Sequence, residues 1–544
     1  MTTATTSASA TGRGTLAGTG TLVRLMLRRD RVKLPAWILG ISVFWLYYTR
    51  LVPQAYPTPE DLESIVSMMT AGSGSIWTGP TYFLENMTYE TFIPGAYGGY
   101  QFLIIALMSI LLVIRHTRVE EQTGRAELVR ASVVGRHAPL TAALITALFA
   151  NVIVAVLVAL MMIADPVFGT AGSLLFAAGC LVTGLAFAGL ASVFVQITEY
   201  SRTATSLAAG AGLGGAFMIR AFGDLGGDHG TTLSWFSPLA WPQQAAPFVL
   251  DRWWPLALSL GFAAVTAALG YVLSSRRDVG AGLVAARAGR ARATRWLGTP
   301  IGLAWRLERK AILWWAIGMG LLGMGMGAFS NAAVPGEMPE ALEQVLGGTE
   351  NILAGYLSYM GVFIATIVAV YAVLAVQGVR AEETVGRGEP VLATAVSRWS
   401  WLGSNLVVGA IGVAITMAAA GAGVGLGAAA AMGDNSLVWE VTLAHLNHVP
   451  AVLVVLGFAG LLFGLVPKAT SAAWALVGYG FLVGTFGGLM SLPDAAIKAS
   501  PFEHAARMPI ESFELAPVAA VGAVALALAV AGLVGFRRRG INVT

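Results

Sequence analysis

The chain has 544 residues, of which 56% are hydrophobic and 11% charged, whereas an ordinary soluble domain carries about a quarter charged residues. That balance excludes a disordered chain, a nucleic-acid binder and a conventional soluble enzyme, and at about 20 apolar residues per membrane span it suits many spans and little soluble mass. The formal net charge is only +4, and one cysteine, Cys180, excludes an internal disulfide, a cysteine-ligated zinc site and an iron–sulfur cluster within one chain.

Residues 1–20 are rich in Ser, Thr, Gly and Ala and read as a disordered tail. No cleavable signal follows, because the apolar stretch after Lys33 is long enough to span. Twelve membrane-spanning helices are expected at 35–52, 97–115, 139–163, 171–197, 203–222, 254–275, 312–330, 353–377, 401–431, 445–466, 470–491 and 515–536. The fold class is thus an all-α polytopic membrane protein. Its first six-span repeat covers 21–275, a cytoplasmic linker 276–300, the second repeat 301–536 and a cytoplasmic tail 537–544. With both termini in the cytoplasm, 28 of 33 Lys and Arg fall inside; the exceptions are Arg50, Arg220, Arg252, Lys498 and Arg507. Arg outnumbers Lys 29 to 4 and Ala and Gly abound, a composition that suggests a bacterial plasma membrane. Two outer loops are acidic: Glu60, Asp61, Glu63, Glu85 and Glu90 in the first, and Glu337, Glu340, Glu343 and Glu350 in the fourth.

The halves resemble each other. Over 118–136 against 380–398, at an offset of 262, ten of nineteen positions are identical. The shared motif is Arg-x-Glu-Glu-x-x-Gly-Arg-x-Glu: Arg118, Glu120, Glu121, Gly124, Arg125 and Glu127, then Arg380, Glu382, Glu383, Gly386, Arg387 and Glu389. Arg28, Asp30, Arg31, Trp37 and Gly40 match Arg306, Glu308, Arg309, Trp315 and Gly318, and Ser237-Pro238 matches Ser500-Pro501. Six spans in the same order and orientation make a parallel repeat about an axis along the membrane normal, with a substrate path expected between the halves.

In each motif loop the expected ion pairs are Glu121 with Arg125 and Glu383 with Arg387, in the favourable i,i+4 order. Gly124 and Gly386 suit the end of the preceding helix. A short second helix starts near Glu127 and Glu389, with Pro390 at a first helical position. Such a charged knuckle, made twice, is read as a docking surface for a cytoplasmic partner rather than as a topology signal alone. Before spans one and seven, Thr21–Lys33 and Ile301–Lys310 suit amphipathic helices in the interface; Leu22, Leu25 and Met26 share one face, Arg24, Arg28 and Arg31 another.

Charges within the spans are scarce. Arg220 lies near an outer span end beside Asp224 and is expected to snorkel. Asn151 is the most central polar residue and suits a bond to a neighbouring helix. The outer segments 235–242 and 499–504 suit stiff interfacial turns. Gly460 and Gly464 favour close helix contact. His445 and His448 lack a nearby acid or cysteine, so no metal is assigned. No buried acid/His relay, catalytic triad, HExxH or phosphate loop is found. The chain is therefore read as no enzyme, with no cofactor of its own.

On these motifs the chain resembles the membrane subunit of an ABC-2-type ATP-binding-cassette exporter. It is most similar to the actinobacterial permeases related to the tetronasin-resistance transmembrane protein. The resemblance rests on the elbow before each six-span unit and on the Arg-x-Glu-Glu-x-x-Gly-Arg-x-Glu loop after each second span, and covers the chain from about residue 20. It implies two copies of a separately encoded ATPase that hold ATP and Mg, with the loops at 118–136 and 380–398 as coupling helices. Cargo would be hydrophobic or amphipathic, such as an antibiotic. By the same analogy Trp45, Tyr100, Met108, Met218, Tyr359, Tyr371 and Tyr479 would line the cargo path. The alternative is a twelve-span, ion-coupled secondary multidrug carrier.

Overall fold

Apolar runs of span length have no route to satisfied backbone groups except the helix, and helices dominate the computed structural model. The model describes residues 14–58, 62, 74–131, 134–284, 292–331, 352–486 and 493–540. Among them no strand occurs. Chain contacts divide the molecule into Met1–Gly289 and Arg290–Thr544. The acidic residues Glu60, Asp61, Glu63, Glu337, Glu340, Glu343 and Glu350, most of the tail 1–20 and part of the linker lie outside the described residues.

In the first unit α1 (Thr19–Arg29) meets α2 (Lys33–Ala55) at 68°. A short α3 (Gly74–Thr78) precedes α4 (Tyr89–His116), whose start is closed by reciprocal Thr88 and Thr91 capping. Then come α5 (Arg118–Gln122), α6 (Arg125–Arg130), α7 (Ala138–Ile163) and α8 (Thr170–Ile197). The expected span at 203–222 is interrupted. It runs as α9 (Ser201–Thr205), a π-helical stretch over Ser206–Gly214, and α10 (Gly215–Asp224). Gly210, Gly212, Gly214 and Gly215 hold the backbone weakly there, which suits a widened turn. The unit ends with α11 (Ala240–Gln244) and α12 (Trp254–Ser274). Its core lies around α4 and α8, with Trp45, Phe92, Ile105, Phe176 and Phe187 inside. Leu258, Leu260, Val265, Leu269 and Val272 of α12 are exposed, as a lipid-facing helix requires.

The second unit comprises α13 (Pro300–Ala328), α14 (Ile352–Thr384), α15 (Gly388–Leu392), α16 (Arg398–Met432), α17 (Ser436–Asn447) and α18 (Val449–Leu465). It continues with α19 (Ala473–Phe486), α20 (Asp494–Lys498) and α21 (Leu515–Arg538). Gly460 and Gly464 do bring helices together. A Cβ on Gly464 would sit 2.0 Å from the carbonyl oxygen of Gly532 on α21, so only glycine permits this approach.

Nine described helices are long and apolar enough to cross a membrane, or ten with the bent α1–α2 pair; two of the expected twelve spans are not counted among these. One is the π-interrupted 201–224. The other begins as a 3₁₀ turn over Pro467–Ala472 before α19. The second amphipathic elbow is also corrected. Residues 301–310 are the start of one uninterrupted 29-residue helix, α13. The first elbow breaks at Asp30-Arg31-Val32, where Asp30 is held by Arg115 and His116. The matching Glu308-Arg309-Lys310 are strong helix formers and carry the helix through.

Candidate functional site

Both motif loops form a helix end, a glycine turn and a short second helix. Gly124 and Gly386 adopt φ of 73° and 78°, the left-handed region that favours glycine. They stop α5 and α14, and α6 and α15 begin just beyond. Pro390 takes the third position of α15 rather than the first, still within the turn whose N–H groups lack helical partners.

The reversal at glycine changes the ion pairing. Arg125 faces Glu120 at 3.8 Å, and Arg387 faces Glu382 at 2.9 Å, not the i,i+4 acids Glu121 and Glu383. Those two carboxylates turn inward. Glu121 accepts both Nη groups of Arg277, at 2.8 and 2.9 Å, just past the end of α12. Glu383 accepts both Nη groups of Arg539, at 2.6 and 2.7 Å, just past the end of α21. Each fork spans 156 residues of chain. Both partners are nearly enclosed, with side-chain exposures of 14% and 8% in the first fork and 6% and 12% in the second. A bidentate, desolvated guanidinium–carboxylate pair is directional, and removing one partner strands the other charge.

A second tie recurs beside each fork. Arg136 donates to the carbonyl oxygen of Ser275 at 2.7 Å, and Arg398 to those of Arg537 and Arg539 at 3.2 and 2.5 Å. Arg277, Arg539, Arg136 and Arg398 all keep the 262 offset. Extending the repeat comparison past residue 136 reaches the two fork arginines, whereas local helix spacing points to the wrong partners.

The surroundings of the forks differ. Arg118 is fully buried; its Nε donates to Val195 O at 3.0 Å and Nη1 to Glu121 at 2.9 Å. Arg277 Nε also donates to Gln196 Oε1 at 2.6 Å. Arg380, in the matching place of the second unit, is only half-buried. There Arg539 lies over the rings of Phe463 and Phe536, 5.0 and 4.9 Å from their centroids. Outside the first fork, Arg29 pairs with Glu120 at 2.7 Å. Asp30 is hydrogen-bonded to His116 at 2.6 Å and forms an ion pair with Arg115 at 2.8 Å. Burial pushes the Asp30 carboxyl up, but His116 and Arg115 together outweigh it and hold the group below the usual carboxylate range.

The residues each loop presents outward include Arg125, Glu127 and Leu128 in the first unit and Val385, Arg387 and Glu389 in the second. Leu128 is 77% exposed and Val385 64%, apolar tips that the charge pattern of the motif conceals. Leu22 and Met26 of α1 pack on α7, while Leu25 is exposed. Leu22, Leu25, Met26, Arg29, His116 and Arg136 are among the residues around a cavity of about 510 Å³ in the first unit.

The residues assigned to a cargo path separate. Trp45, Met108 and Tyr371 lie inside the apolar cores of their own units; Trp45 packs on Phe176 at 4.6 Å and Tyr371 on Trp315 at 5.9 Å. Tyr100, Tyr359 and Tyr479 are half-buried, and Met218 is exposed. Arg220 does not snorkel. It is buried, donates to Ile76 O and to Gln243 Oε1 (3.2 Å), and faces Asp224 at 3.9 Å, so it pins the outer segment instead. Asn151 donates to Ser109 on α4 at 2.9 Å, the expected interhelical bond. Among the described residues no group of three metal-binding side chains occurs.

The family model described as "Multidrug efflux system permease Rv1217c, C-terminal domain" matches residues 20–273 and 297–537. The chain is 37% identical over 538 residues to the multidrug efflux system permease protein Rv1217c of Mycobacterium tuberculosis (strain ATCC 25618 / H37Rv), covering 96% of this chain and 95% of that protein.

Proposed function

Because the chain belongs to the multidrug efflux system permease family, we propose that it is the membrane subunit of an ABC-2-type exporter, resembling the tetronasin-resistance permeases. In this reading it expels hydrophobic or amphipathic drugs with ATP hydrolysed, with Mg, on two copies of a separate ATPase. Both termini lie in the cytoplasm, so both motif loops do too. The chain itself performs no catalysis.

The observation that carries the ATP-driven reading is the doubled fork. Glu121 and Glu383 tie each motif loop to the end of the last long helix of its own unit, by the same bond at the same chain separation. A loop fixed in this way moves as one piece with its helices. The exposed tips offer an apolar residue beside charges, which suits a complementary protein groove. ATP-driven closure of the two ATPases would press on the tips, and the forks would pass the displacement to α12 and α21. Glu120, Glu121, Glu382 and Glu383 act in this scheme chiefly by shaping the loops; Arg125, Glu127, Leu128, Val385, Arg387 and Glu389 carry the contact.

The test is drug uptake into inverted vesicles that contain the chain with its cognate ATPase. ATP-dependent accumulation is expected, and it is lost when Leu128 and Val385 are both changed to Asp. Uphill transport by the chain alone in liposomes, driven by a proton or sodium gradient, would replace this reading with the ion-coupled carrier.

A further inference from the structure

The cavity of about 510 Å³ in the first unit joins two chemistries. One wall is apolar and comes from Leu22, Leu25 and Met26 on α1 with Leu140 on α7. The other is polar: Arg29 paired with Glu120, Arg277 paired with Glu121, and Arg136, His116 and Asp278. Its volume is in the range of small-molecule sites.

Two observations define what fits. Arg136 donates only to the carbonyls of Ser274 and Ser275 and has no carboxylate partner among the described residues. Glu121 is shared by Arg118 and Arg277, so that cluster is also one positive charge in excess. Asp278 at the wall removes one charge, while exposed Arg24 and Arg28 on α1 add two nearby. The second observation is His116, 2% exposed, whose Nε2 is engaged by Asp30 and whose Nδ1 has no hydrogen-bond partner. With Nε2 engaged by Asp30, Nδ1 is left as the ring atom open to a further hydrogen bond.

We infer that this cavity binds the headgroup of an anionic phospholipid, with a phosphate accepting from Arg136 beside the Arg29–Glu120 pair and a headgroup hydroxyl hydrogen-bonded to His116 Nδ1. Phosphatidylglycerol has both groups. An acyl chain follows Leu22, Leu25 and Met26 along α1, the helix whose apolar face suits the membrane interface. The bound headgroup fills the space between α1 and the α5–α6 knuckle.

The test uses the full chain in neutral detergent, with bound lipid counted by native mass spectrometry and thermal unfolding followed during titration. Phosphatidylglycerol is expected to give one saturable adduct per chain and a Kd at least tenfold below that of phosphatidylcholine. Arg136→Ala raises that Kd at least tenfold. Arg398→Ala, which removes the same carbonyl contacts in the second unit, leaves it unchanged and so controls for loss of the helix-end tie. If Arg136→Ala does not fold, Ala126→Trp, which fills the cavity from α6, is expected to abolish the adduct. Equal affinity for the two lipids, an equal loss in Arg398→Ala, an adduct that survives Ala126→Trp, or saturation by free glycerol 3-phosphate at the same concentration overturns the proposal.

Discussion

The two motif loops share the fork and the helix-end tie beside it and differ in the side chains packed around the fork arginine. In the first unit the fork sits in a polar network: Arg118 is buried against Val195 O, and Gln196 orients Arg277. In the second the guanidinium of Arg539 rests on Phe463 and Phe536, with Phe536 also stacked on Trp401 at 5.4 Å. The divergence shows which part of a duplicated element resists drift. A carboxylate tied bidentately to an enclosed guanidinium tolerates no substitution of either partner alone, whereas the shell around it has two workable solutions.

That comparison breaks most sharply at the carboxylates. Glu121→Ala is expected to destabilise the chain by about 3 kcal/mol or more, because it leaves Arg118 and Arg277 together without an acid. Glu383→Ala should cost less, since Arg539 keeps its aromatic bed. Thermal unfolding of the detergent-solubilised variants orders them, and the opposite order would show that the polar network does not depend on Glu121. Phe536→Ala comes next, at about 3 kcal/mol for a fully buried ring. Gln196→Ala, its counterpart in role, should cost about 1 kcal/mol as one lost hydrogen bond.

The pH response should be visible at the first unit. The folded state holds the Asp30 carboxyl below its ordinary range, so its contribution is present at neutral pH and is lost as pH falls through the folded value. Unfolding temperatures measured between about pH 6 and pH 3 should therefore fall less steeply in Asp30→Asn than in the parent. The smallest stability effects belong to the tips. Leu128→Asp and Val385→Asp should each stay within about 0.5 kcal/mol, while co-purification of the proposed ATPase drops. Unequal drops would mean that the two tips dock unequally.

Much of this architecture is legible before any coordinates. Apolar runs locate the helices, the offset of 262 exposes the duplicated knuckle, and Gly124 and Gly386 mark its turn. Local rules fail where a distant residue competes. Glu121 and Glu383 stand four residues before an arginine, yet the left-handed glycine rotates that arginine away and a partner 156 residues distant takes the carboxylate. Arg220 looks like an end-of-span residue free to reach water, but Ile76 and Gln243 enclose it. The span at 203–222 is apolar enough on composition, and only its glycine spacing hints at the π-helical interruption. Core and surface aromatics share one composition, so Trp45 and Tyr371 cannot be told from Tyr100 without packing.

The lone thiol has a practical consequence. Cys180 is 1% exposed, inside the first unit's core, so water-soluble maleimides and nitroxides should pass it by. Leu128→Cys combined with Val385→Cys would then carry a pair of spin labels on an otherwise silent background. Their separation, read by pulsed resonance in the presence of the proposed ATPase with and without nucleotide, tests whether the two tips move.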